Sequence, residues 1–231
     1  MKLKIDSFDK IEGIVKAHPS KCYSHRAVIL ATLASGTSRI YDILLSDDVL
    51  STISVCEALG AIINKKDNYL EIVGTGGNLH NKNDNPIDLG NSGTTLRIMT
   101  SIASLSNNEV TFTGDDSLKT RPMAPLIKAL KPLGVNILSN NTKVPLTIKP
   151  GFYGGETAIL GNVSSQFISS MLIAAPLSKK GLSLQVYPEF VSKPYVDMTI
   201  DIMNHFGVNV LETDYIKHND CNKVNKSCLG A

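Results

Sequence analysis

Residues 57–63 (EALGAII), 131–137 (KPLGVNI) and 204–210 (NHFGVNV) carry one pattern. In each, a helical run ends in Leu-Gly or Phe-Gly, and apolar residues rich in β-branching follow. Gly134 lies 74 residues beyond Gly60, and Gly207 lies 73 beyond Gly134. A period this long with one pattern implies a single supersecondary unit used three times.

Working outward from those glycines, each unit reads the same way. The first has helix YSHRAVILATLAS (23–35), strand SRIYDI (38–43) and helix DDVLSTISVCEALG (47–60), with Ser46 or Asp47 as the cap. A hairpin over 61–74 closes it, turning at Lys66-Asp67-Asn68. The second follows a polar loop (78–86), with helix TTLRIMTSIASL (94–105) and strand EVTFTG (109–114). Helix RPMAPLIKALKPLG (121–134) comes next, and a hairpin over 135–148 turns at Asn140-Asn141. The third has TAILG, VSSQFISSMLIAAPL, LSLQVYP, KPYVDMTIDIMNHFG and VNVLETDYI. The expected units span about 13–75, 86–150 and 156–216, making one domain over 13–216. Residues 1–12 read as an opening strand, and 217–231 as an atypical polar tail that leaves the third hairpin without a return strand.

The runs RAVILATLA and ISSMLIAAPL are apolar on most faces, which marks buried helices. In TKVPLTIKP, by contrast, Lys143, Pro145 and Thr147 alternate with Val144, Leu146 and Ile148, as in a half-solvated sheet. The expected fold is therefore α+β and inside-out, with helices at the centre and sheets facing outward.

Bulk properties limit the function. A hydrophobic content of 42% supports a core, and a net charge of +2 with scattered basic residues lacks the stripe of a nucleic-acid binder. Charges interrupt the apolar runs of MKLKIDSFDKI, unlike a signal peptide. No stretch reaches the roughly 20 apolar residues of a membrane span. Cys22, Cys56, Cys221 and Cys228 form no CxxC pair, which argues against a metal site and for reduced thiols in a cytoplasmic protein. Cys56 reads as a small buried apolar residue.

Four loops carry the suggestive polar residues, and three open buried helices. HPSKCYSHR (18–26) places Lys21 just ahead of a helix and Arg26 in its early turns. LGNSGTTLR (89–97) places Gly93 before the next, and NVSSQF (162–167) places Ser164 and Ser165 before the third. Free N–H groups and the positive helix end suit anions. The same serines and threonines also serve as plain caps, and single cations also sit on surfaces. Arg121 opens a helix, where a cation opposes the dipole and a bound anion would relieve it. Arg97, inside its helix, reads as a structural ion pair. Ser192, Lys193 and Tyr195 precede the last helix, where capping and ligand contact are both open. Together the loops describe a cleft for a phosphorylated or carboxylated small molecule.

At these residues the chain resembles the 5-enolpyruvylshikimate-3-phosphate synthases, or 3-phosphoshikimate 1-carboxyvinyltransferases. LGNSGTTLR, DSLKTRPM, VSSQF and SKPY occur in that family's order and spacing, over nearly the whole chain. The resemblance implies two similar domains, each of three βαβαββ units with inward helices. The first 12 residues would belong to a mostly absent first domain, and the returning half of the enzyme would be missing. It implies transfer of the enolpyruvyl group of phosphoenolpyruvate to the 5-hydroxyl of shikimate 3-phosphate, a step of chorismate and aromatic amino-acid biosynthesis, without metal or organic cofactor. By motif, Lys21 is catalytic and touches both substrates. Gly93, Arg121 and Gln166 would join it on phosphoenolpyruvate. Cys22, Arg26, Ser164, Ser165, Gln166 and Ser192 would hold shikimate 3-phosphate, with Tyr195 nearby. Cys22 replaces the family's usual serine, a thiol being a weaker donor than a hydroxyl; His25 stands where asparagine is common. The chain is expected to be a truncated form, inactive alone. The rival readings are a non-catalytic anion-binding module or gene remnant, and a UDP-amino-sugar enolpyruvyl transferase.

Overall fold

The three closing glycines stop three helices in one way. In the computed structural model their φ angles are 121°, 93° and 75° for Gly60, Gly134 and Gly207, the region that glycine enters without steric cost. The N–H of the next residue reaches back five positions each time: Ala61 to Cys56 O at 3.0 Å, Val135 to Leu130 O at 3.3 Å, and Val208 to Met203 O at 3.0 Å. This is the 6→1 bond of a Schellman closure, with an apolar residue after the glycine. The repeat seen in sequence is thus a repeat of hydrogen bonds. The structure describes all residues except 1, 5, 8, 11, 83, 188–191, 217–220 and 226–231, and the backbone only of 212–216 and 221–225.

Unit one comprises α1 (Lys21–Leu33), β1 (Thr37–Tyr41), α2 (Asp47–Ala58), β2 (Ile62–Lys65) and β3 (Tyr69–Val73). Unit two comprises β4 (Ile87–Asp88), α3 (Gly93–Ala103), β5 (Val110–Thr113), α4 (Asp116–Thr120), α5 (Ala124–Leu130), β6 (Ile137–Asn140) and β7 (Lys143–Ile148). Unit three comprises β8 (Gly155–Leu160), α6 (Ser165–Ala174), β9 (Leu182–Tyr187), α7 (Lys193–His205), β10 (Leu211–Ile216) and β11 (Cys221–Asn225). Each unit owns one sheet, ordered β1-β3-β2, β4-β5-β7-β6 and β10-β11-β9-β8.

The helices are inside. Every residue of α1 from Ser24 to Leu33 is buried, as is every residue of α6 from Phe167 to Ala174. The second helices bury one stripe only, such as Val49, Thr52, Val55 and Cys56 of α2. α2 packs on α1 and α3, α3 runs along α6, and α7 packs on α6 and α1. Small hydroxyl residues line the close α3–α6 seam: Ser170 Oγ donates to Ile98 O at 2.8 Å and meets Ser101 Oγ at 2.6 Å. The sheets alternate as expected, with Val144, Leu146 and Ile148 of β7 buried. Burying one such side chain contributes about 1.5–3 kcal/mol, and the core runs unbroken through all three units.

Three expectations need correction. The opening strand over 1–12 does not form among its described residues, because a lone segment has no neighbouring strand to satisfy its ladder groups. The third hairpin does have its return strand: β11 pairs antiparallel with both β10 and β9, so the third unit runs from Gly155 to Asn225. A ladder uses backbone groups, which polar residues supply as well as apolar ones, and the apolar period therefore misses it. The helix expected over 121–134 starts later, as α5 with a 3-10 turn over Lys131–Leu133, and a separate short helix, α4, precedes it with Arg121 as its C-cap at φ −75°, ψ 125°. Pro122 excludes Arg121 from the α region and ends the first helix there. Arg121 therefore opposes no helix dipole.

Candidate functional site

Four helix starts from three units open on one cleft of about 540 Å³. Lys21 is the first residue of α1, not ahead of it, and Ser20 caps that helix. Ser46 and Asp47 begin α2, Ser92 and Gly93 begin α3, and Ser164 and Ser165 begin α6. Ser164 Oγ accepts from Gln166 N–H at 3.3 Å, which sets the first turn of α6. The cleft is lined from these starts by Lys21, Ser46, Asp48, Gly93, Thr94 and Gln166, and from neighbouring positions by Asn91, Arg97 and Arg121. Lys21, Gly93, Arg121 and Gln166, the four positions expected at phosphoenolpyruvate, thus share one lining.

Asp48 holds Lys21. Its Oδ2 lies 2.6 Å from Lys21 Nζ, and that bond raises the lysine above its ordinary pKa against the opposing effect of partial burial. Burial pushes the Asp48 carboxyl up, but Lys21 overrides it and the net shift is downward. On the other wall, Arg121 Nη2 donates to Asn91 Oδ1 at 3.1 Å. Arg121 also lies over Gly93, where an added Cβ would be 2.6 Å from Nη1. Glycine is required there for the guanidinium to approach the helix start.

Arg97 belongs to this site, contrary to the structural ion pair expected of it. Among the described residues it has no acidic partner. Its Nη1 donates to Gln166 Oε1 at 2.9 Å, and Gln166 Nε2 donates onward to Thr94 Oγ1 at 3.0 Å. The guanidinium packs 5.6 Å from the Phe167 ring centroid. Burial, then the neighbouring Arg121 charge, lowers its pKa. Arg97 Nε and Ser46 Oγ are buried without a hydrogen-bond partner. Each such orphan costs about 1–3 kcal/mol, which an anionic ligand with several acceptor oxygens can recover. Sequence reasoning missed Asp48, Asn91 and Arg97. The spacing of Arg97, four positions after Gly93 and so on the same helix face, was the available signal.

A buried hydroxyl chain backs the cleft. His25 Nδ1 meets Thr52 Oγ1 at 2.7 Å, Thr52 Oγ1 meets Thr95 Oγ1 at 2.7 Å, and Thr95 Oγ1 meets Ser92 Oγ at 2.6 Å. Thr95 Oγ1 also donates to Asp48 O at 3.2 Å. This chain ties α1, α2 and α3 together behind the Lys21–Asp48 pair. His25 Nε2 is buried without a partner, and burial drives the imidazole pKa down to about 4.

The structure does not bring every expected residue into the cleft. Arg26 is 1% exposed and serves as a clamp. It donates to Thr199 Oγ1 at 2.7 Å, Ser169 Oγ at 2.9 Å, Cys22 O at 3.0 Å and Tyr195 O at 3.3 Å, binding α1, α6 and α7. Its acceptors among the described residues are all neutral hydroxyls and backbone carbonyls presented by the helices. Cys22, Ser164, Ser165 and Ser192 lie outside the cleft lining, although Cys22 and Ser165 adjoin Lys21 and Gln166 in the chain. Ser192 is the N-cap position of α7 with no side-chain cap bond, and Tyr195 is exposed on that helix.

Comparison with known proteins bears on this geometry. The family model described as EPSP synthase (3-phosphoshikimate 1-carboxyvinyltransferase) matches residues 5–223. The chain belongs to this family. It is 62% identical over 230 residues to the 3-phosphoshikimate 1-carboxyvinyltransferase of Methanobrevibacter smithii, covering 99% of this chain and 52% of that protein. With the corresponding protein of Methanothermobacter thermautotrophicus it shares 51% over 212 residues, covering 91% and 50%. A solved structure of EPSP synthase from Acinetobacter baumannii superposes with a TM-score of 0.79 at 26% identity, covering 94% of this chain and 47% of that one. The α+β fold is that of this family, and the chain spans about half the length of the curated relatives it matches. Among the described residues no helix is long and apolar enough to cross a membrane.

Proposed function

We propose that this chain supplies one wall of an enolpyruvyl-transfer site. Phosphoenolpyruvate sits on Lys21, Gly93, Arg121 and Gln166, and shikimate 3-phosphate on Lys21 and Gln166 with Cys22, Ser164, Ser165 and Ser192 at its margin. The observation that carries this reading is the convergence of three cations, Lys21, Arg97 and Arg121, on the α1, α2, α3 and α6 starts around one cleft. That arrangement suits two small phosphorylated acids and has no evident use for a neutral ligand.

In this reading Arg121 forks onto the phosphate of phosphoenolpyruvate through charge-assisted bonds, held in place by Asn91. Gly93 lets the ligand reach the α3 start. Lys21 steadies charge on both substrates, with Asp48 fixing its position. Arg97 orients Gln166: by occupying Oε1, it leaves the Nε2 side of the amide for donation. The chemistry is addition then elimination. The methylene carbon of phosphoenolpyruvate takes a proton, the 5-hydroxyl attacks the adjacent carbon and loses its proton, and a tetrahedral intermediate forms. Loss of phosphate and of a methyl proton then restores the double bond.

One wall does not make a preorganised transition-state site. The partner is the other half of the enzyme, and the chain alone binds shikimate 3-phosphate weakly without turnover. Calorimetry with shikimate 3-phosphate, phosphoenolpyruvate and a UDP-amino sugar tests the substrate class. Tighter binding of the UDP-amino sugar would overturn the choice of acceptor. Steady formation of enolpyruvyl product by the purified 231-residue chain would overturn the incomplete site.

A further inference from the structure

The three sheets differ in one place. In units two and three the strand order is first, second, fourth, third, and the first strand runs parallel to the second: β4 beside β5, and β8 beside β9. Unit one has the second, fourth and third strands only, as β1-β3-β2. Among the described residues nothing pairs with the outer edge of β1.

Which groups face that edge follows from the ladder. Gly74 N–H donates to Gly36 O at 2.9 Å, and Lys66 N–H donates to Tyr69 O at 3.0 Å. Antiparallel bonding alternates along a strand. With Ser38 opposite Ile72 and Ile40 opposite Leu70, Ser38 and Ile40 bond to β3. The N–H and C=O groups of Thr37, Arg39 and Tyr41 therefore point outward. In the other units the equivalent outward carbonyls are used: Thr113 O accepts from Leu89 N–H at 3.0 Å, and Tyr187 O from Gly161 N–H at 2.9 Å. Burial agrees. β5 and β9 alternate buried with half-buried residues, whereas β1 alternates half-buried with exposed ones and leaves Tyr41 55% exposed.

We propose that the outer edge of β1 is a docking site for one parallel β-strand from the half of the enzyme that this chain does not cover. This rests on the reading that two halves build one site. The occupant is argued from length and from the repeat. This chain covers 52% of its M. smithii relative, so a comparable length of polypeptide lies outside it in that protein. The fold completes the same edge twice with a parallel strand that directly precedes the unit's first helix, and the corresponding residues of this chain leave the β1 edge open, with Ile14 and Val15 exposed before Lys21. Direction gives the edge a consequence for the cleft. β4 ends five residues before α3 begins, and β8 ends five before α6 begins. Both strands thus run toward a helix start that lines the cleft. A counterpart on β1 ends beside the α1 start at Lys21 and delivers the residues that follow it to the cleft mouth. Strand addition of this kind takes affinity from main-chain bonds and specificity from alternate side chains.

The test compares amide exchange in this chain with that in a chimera, the chain extended by the second half of the M. smithii relative. The outward amides of Thr37, Arg39 and Tyr41 are expected to slow by about tenfold or more in the chimera, while Ser38 and Ile40 change little. Arg39→Pro removes one outward N–H and leaves the β3 ladder, so it should weaken that protection; Arg39→Ala, which loses the same side-chain contacts with Glu71 and Tyr69, should not. An active chimera with unprotected outward amides would overturn the docking edge and leave the enzymatic reading standing. A folded but inactive chimera with protected amides would do the reverse. Protection that instead grows with concentration of the chain alone would assign the edge to a second copy and overturn the occupant named here.

Discussion

His25 makes the folded state acid-labile. The imidazole is fully buried, Nδ1 is engaged by Thr52 and Nε2 has no partner, so a proton on the ring would be a desolvated charge. Its pKa falls from 6.5 to about 4. The sign follows from proton counting: between those values the unfolded chain binds a proton that the folded chain refuses. Stability is therefore lost as pH falls from about 6.5 toward 4, and the loss levels off below the folded value. At about 1.4 kcal/mol per pKa unit, the full loss is about 3 kcal/mol, a large share of a typical stability of about 5–15 kcal/mol. Urea denaturation of the wild type and of His25→Asn at pH 7 and pH 4 measures it, since asparagine can keep a hydrogen bond to Thr52 without titrating. The wild type should lose about 3 kcal/mol more than the variant across that interval. Equal losses, or an imidazole that titrates near 6.5 in the folded chain by NMR, would refute the burial argument.

Arg121→Ala should weaken phosphoenolpyruvate binding in the assembled enzyme by about 1.5–3 kcal/mol, the range for a charge-assisted bond; unchanged affinity by calorimetry removes Arg121 from the site. Gly93→Ala should push the Arg121 guanidinium aside with little loss of stability, because the clash at 2.6 Å is with the far end of a flexible side chain; wild-type phosphoenolpyruvate affinity in that variant argues against the close approach. Asp48→Asn should return the Lys21 pKa toward 10.5, read from its Nζ resonance, and change stability by less than about 1 kcal/mol because both groups are partly exposed. Arg97→Gln should free the Gln166 amide and lower phosphate-ester affinity without unfolding the chain, since it removes a buried cation with an unpaired Nε; thermal melting and calorimetry on one preparation separate the two effects.

The architecture was legible because its signals are local and repeated. Glycine after a helix, an unbroken apolar run and strict alternation each have one physical reading, and three copies reinforce it. β11 was not legible, since its pairing rests on backbone groups in a polar stretch. The late start of α5 was readable from Pro122, which keeps Arg121 out of the α region and so suits the close of one helix rather than the opening of the next. At the site, Lys21, Gly93 and Gln166 share the cleft lining because helix starts point there, whereas Cys22 and Ser165, in the same first turns, do not reach it. Arg26 was not, because on a helix buried all round no periodicity says which face meets a cavity and which meets another helix. Asp48 was not singled out, because an acid in a helix's first turn is ordinary, a place it also fills in α2. Arg97 looked structural for want of knowing that, among the described residues, it has no acidic partner.

Consider finally the helix starts drawn from separate units. Each unit carries its own sheet, and the units touch mainly through the central helices, so an occupant of the cleft would rivet together parts that otherwise hold one another only by packing. Until it arrives, Arg97 and Arg121 repel each other beside the positive helix ends, and among the described residues only Lys21 of the three cations has a carboxylate, Asp48, to offset its charge. Even a simple multivalent anion such as inorganic pyrophosphate should raise the melting temperature out of proportion to its size, and high salt should imitate part of that gain by screening alone.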